Sequence, residues 1–544
     1  MPESPFAERL RSALCHREMD KGFRLLADAE RNSGLIDLKT PDGPGLLLLI
    51  AQWVDLGYRD YRVLEPLLQQ LPEECCAALP VRDYLSVRLA ESFRDLAANH
   101  VDLAIEKLEL VLRIYHEVPD APHEALAHFW KGRAHRKKGE YAKALEHIAE
   151  ARRIAEENLD DVFTAVIQIQ ESWLMFQKGM PKEALQLLDR AEGVLKDTDH
   201  HVALGNIESA RGRIIRRTGE YSKALEHYSR AVEIYSQRDP NHANVARTLV
   251  NVGYAQRLMA LRLRRRIDAK PSKSRSHSLS HLPEPRELTL ATYQATWQSA
   301  VNALLRAQSI YLLHDDFDGL GKVLSNLGYL HLDRGDIESA AEEARQAYEI
   351  GCRQDDHILM ARARILSAAI ENAHVEEQTG EESDMAVHAN LARQHSDEAR
   401  ELARRTQNRR LLASALVSSG ATAANEFFQD WEAARRYASE AAALIGPGES
   451  DHLLEDMATL KSRIVRASGI DDTLRCWSEG FVGGKTFQQI VEEFAEIVIP
   501  KVWLRSERKV SHVAKALSVS PKKVRRILRN SGLITQSGRT RHDA

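Results

Sequence analysis

The sequence is poor in aromatic residues and in cysteine, and its apolar runs are short. Aromatic residues make up 6% of the 544 residues, and the five cysteines form no C-x-x-C pair. This cysteine usage predicts neither a zinc site nor a disulfide framework, and it fits a reducing compartment. The apolar run 46–51 is far short of the ~20 residues that span a bilayer, and charges interrupt the N-terminal stretch where a signal peptide would be apolar. We therefore expect a cytoplasmic protein that does not cross a membrane.

The sequence also lacks a recognisable catalytic, cofactor or metal motif. The Gly-Gly-Lys-Thr run at 483–486 resembles the end of a phosphate-binding loop, but Glu479 stands where that loop needs its first glycine, and no apolar strand precedes it. His277 and His281 have no third ligand nearby. No nucleophile elbow or paired-acid motif is present. We expect a protein that is not an enzyme and holds no cofactor or metal ion.

What the sequence does have is a period of 40 residues. The positions in register are Leu64, Ala104, Ala144, Ala184 and Ala224. In the clearest units, around 144 and 224, two helical patterns are joined by a Gly-Glu-Tyr turn. Small residues at fixed points of both helices allow close approach, and the large apolar residues around them fill the gap.

This pattern resembles the tetratricopeptide repeat. The residues that carry the resemblance are the small residue of the first helix (Gly132, Gly212), the Gly-Glu-Tyr turn, and the Ala-x3-large-x2-Ala pattern of the second helix. The usual period is about 34 residues, so a period of 40 indicates longer helices or wider turns. The resemblance implies an all-α fold, a right-handed superhelical solenoid whose first helices line a concave face.

The array predicts the domain organisation. We expect a helical cap and degenerate repeat at 1–80, blocks of repeats at 81–261 and 291–446, and a closing helix with its linker at 447–470. Within the first of these, 5–30 is predicted as one amphipathic helix.

A basic segment, 262–290, separates the two blocks of repeats. Residues 262–287 carry eight basic residues against three acidic ones, with serine and proline but no core-forming pattern. We expect a disordered insertion there, as a solvated linker rather than as a nucleic-acid arm or a phosphorylation site.

The last domain, 471–544, differs from the rest in charge. Residues 501–544 contain twelve Lys and Arg against two acidic residues, a net charge of +10, so the first 500 residues carry −14 of the total of −4. A basic module on an acidic body is typical of nucleic-acid binding.

The order of its predicted helices resembles the Fis-type helix-turn-helix, over roughly 487–534. The matching features are Ala514 and Leu517, the spacing to Val524, and the closing Gly532. Ser518 departs from the family, which usually has glycine in the turn. The resemblance implies a small helix-turn-helix domain after the solenoid, and a homodimer formed through the helix 487–505.

If this domain binds DNA, the second helix is the recognition helix. Ser520 caps it, and Lys522, Lys523 and Arg526 near its start are expected to reach bases, because the first turns of such a helix meet base edges. Arg525 and Arg529 are expected to meet phosphate, with Lys515 on the preceding helix as a further DNA contact. The alternative is a helical cap whose charges are merely solvated.

The concave face of the repeats is the second candidate site. Asn251 and Asn326 each stand two residues before a small glycine, where similar asparagines hold peptide backbones in tetratricopeptide proteins; a merely tolerated polar residue is the alternative. Two arginine pairs recur at one offset, Arg133 with Arg136 and Arg213 with Arg216. Salt bridging between repeats explains such pairs more readily than a basic strip, which Trp173 and Phe176 would interrupt.

Together these features predict a bacterial-type DNA-binding transcriptional regulator, whose solenoid binds a protein or peptide and whose C-terminal domain binds DNA. The alternative function is a tetratricopeptide scaffold in which the C-terminal helices are a protein-docking module.

Overall fold

The computed structural model describes residues 4–33, 36–268, 286–377, 382–446, 449–467, 485–506 and 508–534. The chain divides into two compact units, Met1–Leu460 and Lys461–Ala544. Within the described residues the regular structure is helical, as the sequence predicts, and the first unit is a tetratricopeptide-like solenoid. None of the described helices is long and apolar enough to cross a membrane.

The first unit begins with five helices that precede the regular repeats. They are α1 (Pro5–Cys15), α2 (Met19–Ser33), α3 (Gly43–Asp55), α4 (Leu64–Leu68) and α5 (Glu73–Cys76), with a 3-10 turn at Tyr61–Val63. The single helix predicted over 5–30 is wrong, because Arg17 adopts a left-handed φ of 53° that ends α1. Leu10, Leu47 and Leu64 are fully buried in the core that the first repeats share, so these helices are part of the solenoid.

Within the described residues, eight helical hairpins and a closing helix follow. The hairpins are α6–α7 (Val81–Ala97, Val101–Tyr115), α8–α9 (Ala121–Lys138, Tyr141–Glu157), α10–α11 (Asp161–Gln177, Pro181–Leu195), α12–α13 (His201–Arg217, Tyr221–Ser236), α14–α15 (Ala243–Asp268, Arg286–Leu313), α16–α17 (Phe317–Arg334, Ile337–Arg353), α18–α19 (His357–Glu377, Glu382–Arg404) and α20–α21 (Arg409–Ala423, Trp431–Leu444), before α22 (His452–Ala467).

The 40-residue period has a direct structural cause. Ala104, Ala144, Ala184 and Ala224 are fully buried near the start of the second helix of their hairpins. A Cβ placed on Gly212 of α12 would lie 3.1 Å from the carbonyl oxygen of Ala224 and 2.5 Å from Cε1 of Tyr228. The small residues therefore face each other where the two helices of a hairpin come closest.

The hairpin turns need glycine for a different reason. Gly139 and Gly219 have φ values of +80° and +81°, and Gly139 is the residue that ends α8. Residues other than glycine are disfavoured in this left-handed region. This explains why the Gly-Glu-Tyr sequence recurs at the turn.

Later hairpins contact earlier ones through their loops. The backbone N–H of Gln407 donates to the carbonyl of Gly139 at 3.0 Å, and that of Ser450 donates to the carbonyl of Arg217 at 2.8 Å. Arg409 Nε donates to the carbonyl of Gln177 at 3.0 Å. The solenoid of the first unit therefore turns far enough for its loops after α19 and α21 to meet the turns of α8–α9, α10–α11 and α12–α13.

The segment predicted as a disordered insertion, 262–290, is helical at both ends. The helix α14 continues to Asp268, and α15 begins at Arg286. Part of the reason is that Arg262 bonds Glu455 and the carbonyl of Gly219, and its guanidinium lies 4.2 Å from the Tyr221 ring centroid. These contacts stabilise the last part of α14, a basic stretch that the sequence pattern alone predicts to be solvated. Residues 269–285 lie outside the described residues.

The second unit contains α23 (Phe487–Arg505), α24 (Val510–Ala516) and α25 (Pro521–Asn530). Thr486 begins α23 with a capping box formed with Gln489. Ile499 and Trp503 of α23 pack against Val513 of α24 and Ile527 of α25. The three helices therefore share one small aliphatic core.

Candidate groove and basic helix

A cavity of about 360 Å³ lies on the inner side of the first hairpins. The segment 54–61, between α3 and α4, covers it, and residues of α6, α8, α12 and α14 form its other walls. We call it the groove cavity. Its lining includes Tyr58, Phe93, Arg133, Arg136, Lys137 and Asn244. Two of the four arginines predicted for the concave face, Arg133 and Arg136, therefore line one half-open cavity.

Arg133 is neutralised within the protein. Its Nη1 lies 2.6 Å from both carboxylate oxygens of Asp55, which also accepts a hydrogen bond from Trp130 Nε1 at 2.9 Å. The guanidinium carbon lies 5.4 Å from the centroid of the Phe129 ring. At this residue the salt bridge favoured by the sequence analysis is present, although its partner comes from α3.

Arg136 and Arg213 form no salt bridge with the described residues. The Nε of each is buried without a hydrogen-bond partner. Desolvation, together with the charges of Arg133, Arg247 and Arg213, lowers the pKa of Arg136 to about 9. Desolvation and the charge of Arg247 likewise lower the pKa of Arg213 to about 10. Salt bridging does not explain these two residues, because their nearest charged neighbours are other cations.

Aromatic rings support the groove arginines. The Arg136 guanidinium lies 5.1 Å from the Trp173 ring centroid, and the Arg216 guanidinium lies 4.5 Å from that of Tyr254. Phe176 similarly packs against Arg217, at 3.8 Å. The two aromatic residues that the sequence analysis treats as interruptions of a basic strip therefore hold arginines of neighbouring hairpins.

The two asparagines predicted to hold a peptide backbone are engaged with their own helices. Asn251 Nδ2 donates to the carbonyl of Arg247 at 3.0 Å, and Asn326 Nδ2 donates to that of Lys322 at 2.7 Å. Both side chains are half-buried. One amide hydrogen of each side chain is therefore used within its own helix.

The sequence analysis missed Lys137 and Arg247. Lys137 lines the groove cavity and donates to the carbonyl of Leu96 at 3.1 Å. Arg247 donates to the Asn206 side chain at 3.0 Å. A signal for Arg247 existed, because it stands six residues before Gly253, just as Asn206 stands before Gly212 and Lys322 before Gly328.

In the second unit, α25 has one buried face and one basic face. Val524, Ile527 and Leu528 are fully buried. Ser520 caps the helix by accepting the backbone N–H of Lys523 at 3.2 Å. Ser518, in the turn, has a φ of 53°, the left-handed conformation that glycine favours, so the turn keeps this geometry without glycine.

The basic side chains of α25 differ in their partners. Lys522, Arg525 and Arg529 are exposed, as is Lys515 on α24. Lys523 Nζ lies 3.0 Å from a carboxylate oxygen of Glu492 on α23, and Arg526 pairs with the same carboxylate. Two of the three residues predicted to reach bases therefore have an intramolecular acidic partner.

The helix α23 leaves an apolar stripe uncovered within the chain. Phe487, Val491 and Phe494 are 81%, 41% and 49% exposed. Their i, i+4, i+7 spacing places them on one side of the helix.

No group of three or more potential metal ligands is found in the described part of the chain. Residues 483 and 484 of the glycine-containing run, and the histidines at 277 and 281, lie outside the described residues.

Comparison with known proteins gives a family match for part of the chain. Residues 124–197 and 204–262 match the tetratricopeptide repeat family. No curated protein matches the chain.

Among solved structures, a Rap protein complexed with Competence and Sporulation Factor covers 78% of this chain and 99% of its own, at 12% identity and a TM-score of 0.47. The alignment with the apo form of the quorum sensor NprR from B. thuringiensis covers 81% of this chain and 97% of that protein, at 12% identity and a TM-score of 0.37. The alignment with yeast Tom70 covers 85% of this chain and 96% of that protein, at 13% identity and a TM-score of 0.38. Likenesses at this level assign no ligand to the chain.

Proposed function

We propose that this protein is a DNA-binding transcriptional regulator whose solenoid binds a protein or peptide ligand. The DNA-binding part is α24–α25, and the observation that carries it is the division of α25. Three fully buried aliphatic residues anchor one side, while Lys522, Arg525 and Arg529 extend from the other. A helix anchored in this way can place cations in a DNA groove without losing its core.

The ligand-binding part is the concave side of the first unit. The half-open groove cavity, with its aromatic and basic walls, supports this assignment, because ligands bind in concave sites that combine apolar surface with a few polar groups. The proposal includes no catalytic step, and it places the protein in the cytoplasm with DNA.

The test of the DNA-binding half uses the full chain, its triple variant Lys522→Ala, Arg525→Ala, Arg529→Ala, and fluorescence anisotropy with a random duplex. We expect salt-sensitive binding by the unchanged chain. The triple variant should bind more weakly and lose about one unit of salt slope for each phosphate contact removed. The matched control, Lys182→Ala, Arg190→Ala, Lys223→Ala, removes the same charge from exposed positions of the first unit and should bind as the unchanged chain does. Absence of binding at low salt would refute the proposal.

The apolar stripe of α23 supports a homodimer through 487–505. Exposed phenylalanines at this spacing favour pairing with a second copy. Phe487→Ser with Phe494→Ser should convert a dimer to a monomer in analytical ultracentrifugation. A chain that is monomeric at high concentration before substitution would contradict the dimer.

The same stripe favours a second function, a scaffold whose C-terminal helices dock another protein. The two functions differ in their dependence on DNA. If pull-downs by the full chain survive nuclease treatment and the triple variant of α25 behaves as the unchanged chain does, the scaffold function is supported.

A further inference from the structure

We infer that the groove cavity is an anion-binding site, in which Arg136, with Arg213 and Arg247 beside it, takes the carboxylate or phosphate group of a ligand. The inference deepens the ligand-binding half of the proposed function and is independent of the DNA-binding half. It names the chemistry that the ligand must carry.

The first observation is the contrast between Arg133 and Arg136, which line the same cavity one helical turn apart. Arg133 contacts both carboxylate oxygens of Asp55. Arg136 forms no ion pair within the described residues, and its Nε is buried without a hydrogen-bond partner. Arg213, on a different hairpin, has the same two properties. Proteins ordinarily neutralise cations in such enclosed places.

The second observation is that the acidic residues of the cavity are already engaged. Asp55 is taken by Arg133 and Trp130. Asp60 pairs with Arg62 at 2.7 Å, and Asp239 accepts the backbone N–H of Asn241 at 2.8 Å. Asp55 and Asp60 are therefore paired with cations, and no described carboxylate forms an ion pair with Arg136.

The third observation is that the cations are held in place. Trp173 supports the Arg136 guanidinium from one side, and Arg247 is fixed by the side-chain oxygens of Asn206 and Asn244. A planar guanidinium held in this way presents parallel N–H donors, which match the two oxygens of a carboxylate or phosphate. An anion from outside would remove the mutual repulsion of the cluster and supply its missing acceptors.

The size of the cavity limits the ligand. About 360 Å³ lies at the lower end of the range for small-molecule sites. Tyr58 and Phe93 add apolar surface to the lining. A short acidic peptide and a small phosphate compound both fit these features, and both share the oxyanion that the arginines would bind.

The experiment measures the melting temperature of the full chain with pyrophosphate or hexaglutamate, against sodium chloride at equal ionic strength. It is done in the variant that lacks Lys522, Arg525 and Arg529, so that anions bound to α25 do not contribute. We expect a saturable rise in melting temperature with at least one anion. In Arg136→Gln the concentration for half-saturation should increase at least tenfold.

The matched control is Arg345→Gln on α17, whose guanidinium is exposed and pairs with Glu342 and Glu349. It should respond to anions as its parent does. Arg213→Gln and Arg136→Lys provide the same comparison if Arg136→Gln does not fold. Loss of the response in Arg136→Lys would show that the fork geometry matters as well as the charge.

The two anions distinguish the two ligand sources. A response to hexaglutamate alone supports a peptide, a response to pyrophosphate alone supports a phosphate compound, and either supports the site. Responses no larger than those to sodium chloride, or identical responses in Arg136→Gln and its parent, would overturn it. Because every chain in this experiment lacks Lys522, Arg525 and Arg529, a failure of DNA binding leaves this result unaffected.

Discussion

The groove cavity and α25 are both basic, but their cations stand in opposite surroundings. On α25, Lys523 and Arg526 share the carboxylate of Glu492, and the helix faces solvent. Arg136, which lines the groove cavity, and Arg213, which lies outside its lining, are half-buried and have no carboxylate partner among the described residues. Exposed cations cost little to keep in the absence of a ligand, whereas enclosed ones repel each other. Positive charge therefore costs more free energy in the groove than on α25, and a bound anion lowers the electrostatic free energy more in the groove.

The largest effect is expected from a substitution that unfolds the second unit and leaves the first unit folded. Val524→Asp places a carboxylate in the core of α23–α25, where Val524 is fully buried, and should destabilise the second unit by at least ~3 kcal/mol. DNA binding should be lost, while the melting transition of the first unit and its response to anions remain. Val194→Asp, at a position of α11 where the valine is 40% exposed, is the control. Loss of the anion response in Val524→Asp would show that the groove depends on the second unit.

Acid should lower the stability of the hairpin α8–α9, which carries Arg133 and Arg136. His128 and His147 of α8–α9 approach to 2.9 Å between their Nδ1 atoms, and desolvation lowers their pKa values to about 4 and about 3. The unfolded chain therefore binds more protons than the folded one below pH 6.5, so stability is full above that pH and is lost as pH falls toward 4. The slope is roughly 1.4 kcal/mol per pH unit for each histidine. In urea unfolding, His147→Gln should reduce the slope, and the exposed His116→Gln should not.

The contrast within the groove can be tested with one kind of substitution at two sites. Arg133→Gln leaves Asp55 without its cation, and should cost about 1–3 kcal/mol of unfolding free energy. Arg136→Gln leaves no carboxylate unpaired and removes a cation that its neighbours repel, so it should cost less than Arg133→Gln. Both values come from chemical denaturation without added anions. Equal costs at the two sites would mean that Arg136 has a structural partner after all.

On α25, two arginines should differ in specificity. Arg526 is one of the residues predicted to reach bases, so Arg526→Ala should lose about 1–3 kcal/mol of discrimination between DNA sites. Arg529→Ala should weaken binding to all sites alike and lower the salt slope by about one unit. Anisotropy titrations on a selected site and a scrambled one measure both. If Arg526→Ala stays folded by circular dichroism and keeps its site preference, the orientation of this helix is wrong.

The smallest effect concerns Glu492. Its pairs with Lys523 and Arg526 lie at the surface, where an ion pair contributes about 0–1 kcal/mol. Glu492→Gln should therefore raise DNA affinity by at most about fivefold, by releasing both cations and removing a negative charge. Glu496→Gln, at an exposed position of the same helix, should raise it less. Equal gains would show that only net charge matters.

The regular repeats were predictable because their signal is local. Ala144 and Ala224 are fully buried, and the turn glycines have the expected left-handed φ. The ends of α25 were predictable for the same reason, since Ser520 and Gly532 act on their neighbours in sequence. Each of these features depends on a few adjacent residues and on the spacing of one helix.

The composition of the groove was only partly predictable. The sequence singles out Arg133, Arg136 and Arg213, but it does not show that Asp55, from α3, neutralises the first and leaves the others unpaired. Lys137 lies in a basic run at the end of α8, and Arg247 is marked only by its spacing before Gly253, so neither is assigned to the groove by the sequence alone. The basic excess of 501–544, by contrast, is visible in the sequence because its cations lie close together along the chain.

The contacts between later loops and earlier turns alter how the repeat array should unfold. A solenoid with contacts only between neighbours behaves as a one-dimensional chain, in which units melt from the ends and a repeat can be removed at a fixed cost. Here Gly139 and Arg217 are bonded to Gln407 and Ser450, far along the sequence. Deleting one hairpin between them would shift every such contact by one unit. The array should therefore unfold more cooperatively than its repeat sequence suggests, and it should tolerate loss of a repeat poorly.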